Sequence, residues 1–113
     1  SRHLSRLTSP AAIQDALDEF VGAGRADFLQ EYGFKPARDY FVIDPKTGIE
    51  ADSKAIVGVA FGYQFPELGA LRPDEFSGGD ATVVPLLQSL GFQNRSLGLA
   101  GEEFALRFER CGL

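Results

Sequence analysis

Methionine and tryptophan are absent from the chain, and cysteine and histidine occur once each, as Cys111 and His3. A single cysteine excludes an internal disulfide and a cysteine-rich metal site. A lone histidine near the start leaves no credible Ser-His or Cys-His pair for nucleophilic catalysis. No apolar run approaches the roughly 20 residues that cross a bilayer, and no signal-peptide pattern is present. The sparse cysteine fits a reducing, cytoplasmic setting. Neither GxxxxGK[ST] nor GxGxxG occurs, so neither phosphate-binding fingerprint applies. With no initiator methionine, the chain reads as processed or excised from a longer protein.

What is present describes a small folded unit. A length of 113 residues allows one domain, or one domain and a fragment of the next. Ten phenylalanines and a hydrophobic fraction of 44% are enough for a real core. The net charge is −5. A free-standing, non-specific DNA binder is normally basic, because phosphate neutralisation dominates its affinity. Any nucleic-acid role here is therefore expected to be local, and shared with another domain.

Periodicity and punctuation predict an α+β fold, with about four helices around a short, mostly antiparallel hairpin sheet. Ser9-Pro10 is a helix start, and Ile13, Ala16, Leu17 and Phe20 form its apolar stripe up to Gly22 and Gly24. A short helix follows over Arg25 to Tyr32, closed by Gly33. Tyr40 to Ile43 reads as a strand. Asp44 to Gly48 turns, and Ile49 to Ala51 pairs back. The next helix, over Ala51 to Tyr63, takes Asp52 or Ser53 as its cap and carries Ile56, Val57, Ala60 and Tyr63. An irregular connection, Gln64 to Glu75, leads to Gly78-Gly79 and a cap at Asp80. The last helix has the stripe Val83, Val84, Leu87 and Leu90. Pro85 is tolerated only in a first turn, so that helix begins no earlier than about Thr82. Phe92-Gln93 can add an edge strand. Residues 1–8 read as a loose N-terminal segment, 9–93 as the folded domain, and 94–113 as a linker and the start of a following domain.

Several residues are candidates for binding an anion. Lys54 lies in the first turn of its helix beside the Ser53 hydroxyl, where the helix end already favours negative charge. Its ordinary alternative is a surface ion pair with Asp52, Asp39 or Glu50. Lys35 and Arg38 share a loop that runs into the Tyr40 strand. Arginine can fork to a phosphate or a guanine edge, and tyrosine can stack on an unpaired base. The ordinary alternative is a solvated loop with Arg38 paired to an acid. The window from Lys35 to Lys54 holds four basic and four acidic residues, so it is no basic stripe. Ser77, Gly78 and Gly79 can offer bare backbone N–H groups to a phosphate, or simply form a tight turn before a capped helix. Asp44, Glu50 and Asp52 with Lys54 form a loose acidic string, but not the spacing of a strand-borne E-x-K nuclease site. No metal set, cofactor or catalytic group is expected. Phe20, Phe28, Phe34, Phe41, Phe61, Phe65, Phe76 and Phe92 read as mostly core, with Tyr40 and Tyr63 the better candidates for exposed stacking.

Taken together, Tyr32-Gly33-Phe34, Lys35, Ala37-Arg38, Tyr40-Phe41, Asp52-Ser53-Lys54-Ala55 and Phe76-Ser77-Gly78-Gly79 resemble the N-terminal head domain of ScoMcrA-like, modification-dependent HNH restriction endonucleases. The resemblance covers about Ile13 to Phe92. The chain departs from that pattern at Ala51, where relatives often have tyrosine, and at Phe61, where they often have histidine. The tail from Gly98 to Arg110 resembles the opening of a nuclease-like domain. The resemblance implies a non-catalytic module of a type IV-like restriction or defence protein that binds double-stranded DNA and senses modified bases, working with a downstream nuclease domain. Lys35, Arg38, Ser53, Lys54, Ser77, Gly78 and Gly79 are then the expected phosphate contacts, and Tyr40 the stacking or edge-reading residue. The alternative is a protein-interaction or dimerisation module that docks a host nuclease without touching DNA. Clustered cations would favour the first, and an exposed apolar patch the second.

Overall fold

One helix, α3 (Ser53–Gln64), is the hub of the computed structural model, which describes residues 3–77 and 82–96. Ser53 and every residue from Ala55 to Phe61 is buried. A helix that is apolar on all sides over this length must be covered all round. α1 (Pro10–Ala23), α2 (Arg25–Tyr32), α4 (Val83–Ser89) and the sheet supply the cover. The outcome is the expected α+β arrangement of four helices and an antiparallel sheet.

The first two helices form where their punctuation predicts. The Ser9 hydroxyl accepts the Ala12 N–H at 3.1 Å, Pro10 opens α1, and Ile13, Ala16, Leu17 and Phe20 are buried. The chain preceding α1, expected to be loose, makes a 3-10 turn at Leu4–Arg6 and buries Leu4 and Leu7. The Gln64 side chain ties it down, accepting the N–H groups of Thr8 and Ser9 at 2.9 and 3.1 Å. α2 ends at Gly33, whose φ of 78° is left-handed and suits glycine.

β1 (Tyr40–Ile43) is the central strand, between β2 (Glu50–Asp52) and β3 (Asn94–Ser96). Register places Asp52, Phe41 and Arg95 in one row and Ala51, Val42 and Asn94 in the next. Val42 and Ala51 are fully buried, so their face meets the helices. Ala51 pairs in β2, as expected of Ile49 to Ala51, so the helix expected from Ala51 starts at Ser53 instead. Asp52 takes the expected N-cap position while its backbone extends the ladder. The third strand falls at Asn94–Ser96 instead of Phe92–Gln93, taking residues expected to be linker. The following domain expected in the tail, together with the bend at Gly78-Gly79 and the cap at Asp80, lies outside the described residues.

The turn between β1 and β2 is built on Asp44. Its carboxylate is 1% exposed and accepts from Gln14 Nε2 at 3.0 Å, the Lys46 N–H at 3.0 Å and Thr47 Oγ1 at 2.9 Å. Burial by itself pushes this carboxyl up. The hydrogen bonds from Gln14, Lys46 and Thr47 and the Lys46 charge outweigh it and hold Asp44 below its ordinary value. The irregular connection after α3 lies directly on the helix. Leu71 donates its N–H to the Gly58 carbonyl at 3.0 Å and is itself 1% exposed. A Cβ on Gly58 would stand 2.7 Å from Phe34 Cζ and 2.9 Å from the Leu71 carbonyl oxygen; one on Gly62 would stand 2.7 Å from the Ala70 nitrogen.

Two predictions follow from this packing. Gly58→Ala and Gly62→Ala are expected to lower stability by about 1–3 kcal/mol through overpacking, despite alanine's better helix propensity. Gly22→Ala, which meets nothing within 4 Å in α1, should raise stability by about 0.5–1 kcal/mol. Denaturant titration of the three variants checks the signs, and a stabilising Gly58→Ala would show that the connection yields freely. Because Asp44's folded value is lowered, its contribution is present above the unfolded value of 3.8 and is lost as pH falls through the folded value. Asp44→Asn should therefore cost about 1–2 kcal/mol near neutral pH and progressively less in acid, measured as denaturation midpoints between pH 7 and pH 2.

Candidate nucleic-acid interface

The corner where β2 becomes α3 is organised by Asp52. Asp52 is 1% exposed, so its carboxylate must find donors inside the protein. Arg25, the first residue of α2, supplies two, Nε to Oδ1 and Nη2 to Oδ2, each at 2.9 Å. The Ala37 N–H supplies the third, to Oδ2 at 2.7 Å. Arg25 Nη2 also donates to the Ala37 carbonyl at 3.2 Å, and its guanidinium lies 5.9 Å from the Phe41 ring centroid. The loop carrying Lys35 and Arg38 is thereby pinned at its middle to the start of α3. The other side of the corner is aromatic. Phe34 and Phe76 stand 6.3 Å apart, and Lys54 Nζ lies 5.1 Å over the Phe76 ring.

The expected contact residues divide accordingly. Lys35 and Arg38 are exposed on the pinned loop, and Lys54 is half-buried with its ammonium on Phe76. Two of the three acids named as partners for Lys54 are engaged elsewhere, Asp52 with Arg25 and Glu50 with Arg95 at 2.9 Å, and Asp39 forms no ion pair with it. Arg25, Lys46, Arg72 and Arg95 all form ion pairs, while Lys35, Arg38 and Lys54 form none among the described residues. Ser77 is exposed and directly follows Phe76, so it borders the same corner; Gly78 and Gly79 lie outside the described residues.

Two expectations change in geometry. Ser53 is 1% exposed, and its hydroxyl points to Asn94 Oδ1 at 3.5 Å, so it does not stand beside the Lys54 ammonium as a surface donor. Tyr40 falls in the inward-facing row with Val42 and is half-buried, opposite Ser96, rather than standing free as a stacking platform. The carboxylates of the loose acidic string do not converge. Asp44 holds its own turn, Glu50 holds Arg95 and Asp52 holds Arg25. Among the described residues, no group of three or more His, Cys, Asp or Glu is placed to hold a metal ion, and no helix is long and apolar enough to cross a membrane.

Arg25 was invisible as a site-building residue in the sequence. It sits 27 positions from Asp52, a separation with no local signature, and only the fold brings the two together. The second feature missed is a pair of tyrosines on one acid. Tyr32 and Tyr63 each donate a hydroxyl to Glu19, at 2.7 Å and to different oxygens. The Glu19 bond, with burial, pushes the Tyr63 hydroxyl up to about 12, and burial followed by the Glu19 bond raises Tyr32 as well.

The model of one protein family, the ScoMcrA-like N-terminal head domain, matches residues 5–96. No curated protein and no solved structure matches the chain.

If Asp52 pins the loop, Asp52→Ala should cost about 1–3 kcal/mol, a range set below that of a fully buried pair because Arg25 is 47% exposed. Hydrogen exchange at the Ala37 amide should accelerate more than at amides in α1. In a double-mutant cycle, Arg25→Ala and Asp52→Ala should be strongly non-additive. Additive losses would show that the two side chains act separately.

Proposed function

This chain belongs to the ScoMcrA-like N-terminal head domain family, and we propose that it is a non-catalytic DNA-contacting module of a restriction or defence protein. The observation that carries this reading is the inequality among the basic side chains. Arg25, Lys46, Arg72 and Arg95 are each paired with an acid, whereas Lys35, Arg38 and Lys54 form no ion pair among the described residues, and all three lie on segments joined at the Asp52–Phe76 corner. A cation already paired with a carboxylate gains little from a phosphate, and an unpaired one gains the released counterion. Ser77 borders the corner as a further donor. In this reading the chain works in the cytoplasm, binds double-stranded DNA with modified bases among its targets, and presents that DNA to a nuclease domain of the same protein.

The non-catalytic part of the proposal is supported by how the titratable groups are occupied. His3 caps the N-terminal turn, and Asp44, Glu50 and Asp52 each serve a different structural partner. The docking alternative draws on the acidic balance of the chain and on the apolar connection from Gln64 to Leu71. That stretch is packed down, with Leu71 buried and Phe65 and Leu68 against the core. Among the described residues the exposed large apolar side chains are Val21 in α1, Ile49 in the turn before β2 and Tyr63 in α3, on three separate segments.

Binding to matched duplexes containing cytosine, 5-methylcytosine or 5-hydroxymethylcytosine, at several salt concentrations, tests the proposal. Three phosphate contacts predict a log–log salt slope of about −2.7, and Lys54→Ala or Arg38→Ala should each reduce it by about 0.9. A preference for one duplex would identify the base that is read. No binding to any duplex at low salt would overturn the DNA proposal in favour of docking.

A further inference from the structure

The end of α3 opposite the Asp52 corner carries a second feature of the reverse electrical sign. A cavity of about 220 Å³ lies between α2, the last turns of α3 and the connection after it, lined by Tyr32, Val59, Gly62, Tyr63, Gly69 and Ala70. Two of its walls are tyrosines, and one carboxylate fixes both. Glu19 accepts Tyr32 on Oε2 and Tyr63 on Oε1, each at 2.7 Å. Tyr32 is also braced by Phe28, with ring centroids 5.2 Å apart. The rings are thus preset, and ordering them costs nothing further when a ligand enters. The charge around them is acidic. Glu19 and Glu31 bear on both tyrosine hydroxyls, and Asp15 on that of Tyr63.

From this geometry we infer that the Tyr32–Tyr63 cavity is a binding site for an organic cation of side-chain size, an alkylammonium or a guanidinium. The face of a tyrosine ring attracts a cation through its quadrupole, and acidic side chains close by add to that field. A phosphate or carboxylate would be repelled from the same place. The cavity is smaller than the usual 300–1,000 Å³ of drug-sized sites, which selects a single cationic group over a larger ligand. Close backbone approach gives it its floor, because a Cβ on Gly62 would collide with the Ala70 nitrogen. The site is independent of the proposed DNA corner and shares none of its residues.

Titration of the full chain, followed by NMR shifts of the Gly62, Gly69 and Ala70 amides, provides the test. The probes are tetramethylammonium, N-acetyl-arginine amide and N-acetyl-lysine amide, with neutral N-acetyl-citrulline amide as the control. Saturable shifts with the cations and none with citrulline are expected. Tetramethylammonium binding tightest would point to a free small cation, and the capped arginine or lysine binding tightest to a side chain presented by a protein. Tyr63→Ala, at an exposed position, should weaken binding by about 2- to 30-fold, and Tyr63→Phe, which keeps the ring, should weaken it less. Absence of saturable shifts with every cation, equal binding of citrulline, or unchanged binding in a Tyr63→Ala variant with native amide spectra would overturn the inference.

Discussion

A carboxylate buried at the join between a strand and a helix has to be paid in hydrogen bonds, and the way Asp52 finds them shapes the molecule. Its three donors come from the first residue of α2 and from the loop before β1, so one side chain fastens three segments. An aspartate preceding a helix usually turns back to cap it. This one does not, and α3 carries no side-chain cap. The helix forms nonetheless, because a twelve-residue segment so thoroughly buried draws its stability from packing rather than from its ends.

The same interaction explains how an acidic chain keeps unpaired cations. Asp52 was the nearest candidate in sequence to neutralise Lys54, and Glu50 the next. Arg25 takes the first and Arg95 the second. With Asp52 and Glu50 committed, Lys54 rests its ammonium on Phe76 and forms no ion pair among the described residues. Net charge therefore says little about this corner. An overall −5 is compatible with a small patch where the acids are turned to structural use.

Local chemistry made much of the fold legible. Ser9-Pro10, the stripe from Ile13 to Phe20 and the closing glycines are enough to place α1 and α2, and the run Tyr40 to Ile43 marks β1 without error. The places where the sequence misleads are those decided by distant partners. Asp52 reads as a helix cap and does hold that position, but pairing with Phe41 keeps it in the sheet and its carboxylate goes to Arg25 instead of back to α3. The third strand shifts to Asn94–Ser96 because ladder register and the Arg95–Glu50 pair favour it, and neither is visible within the segment itself. Ser53 has the composition of an exposed helix start, yet β3 covers it and turns its hydroxyl to Asn94. Lys35, Arg38 and Lys54 were recognisable as candidates. That Lys54 forms no ion pair with Asp52 depends on Arg25, which no spacing rule connects to it.

Both proposed sites are anchored on the same helix, Lys54 in its first turn and Tyr63 in its last. At 1.5 Å per residue the two positions are separated by about 13.5 Å along the axis. That exceeds the Debye length of about 8 Å at physiological ionic strength, so the acids around Tyr63 are largely screened from a phosphate held near Lys54. A cation pocket and an anion corner can therefore coexist on one small, acidic domain without cancelling. In dilute salt the Debye length grows to about 30 Å, and the acidic end then opposes DNA at the other. Affinity for DNA should consequently rise less steeply towards low salt than three phosphate contacts alone would give, a curvature produced by the rigid helix that holds the two opposite charges at a fixed distance.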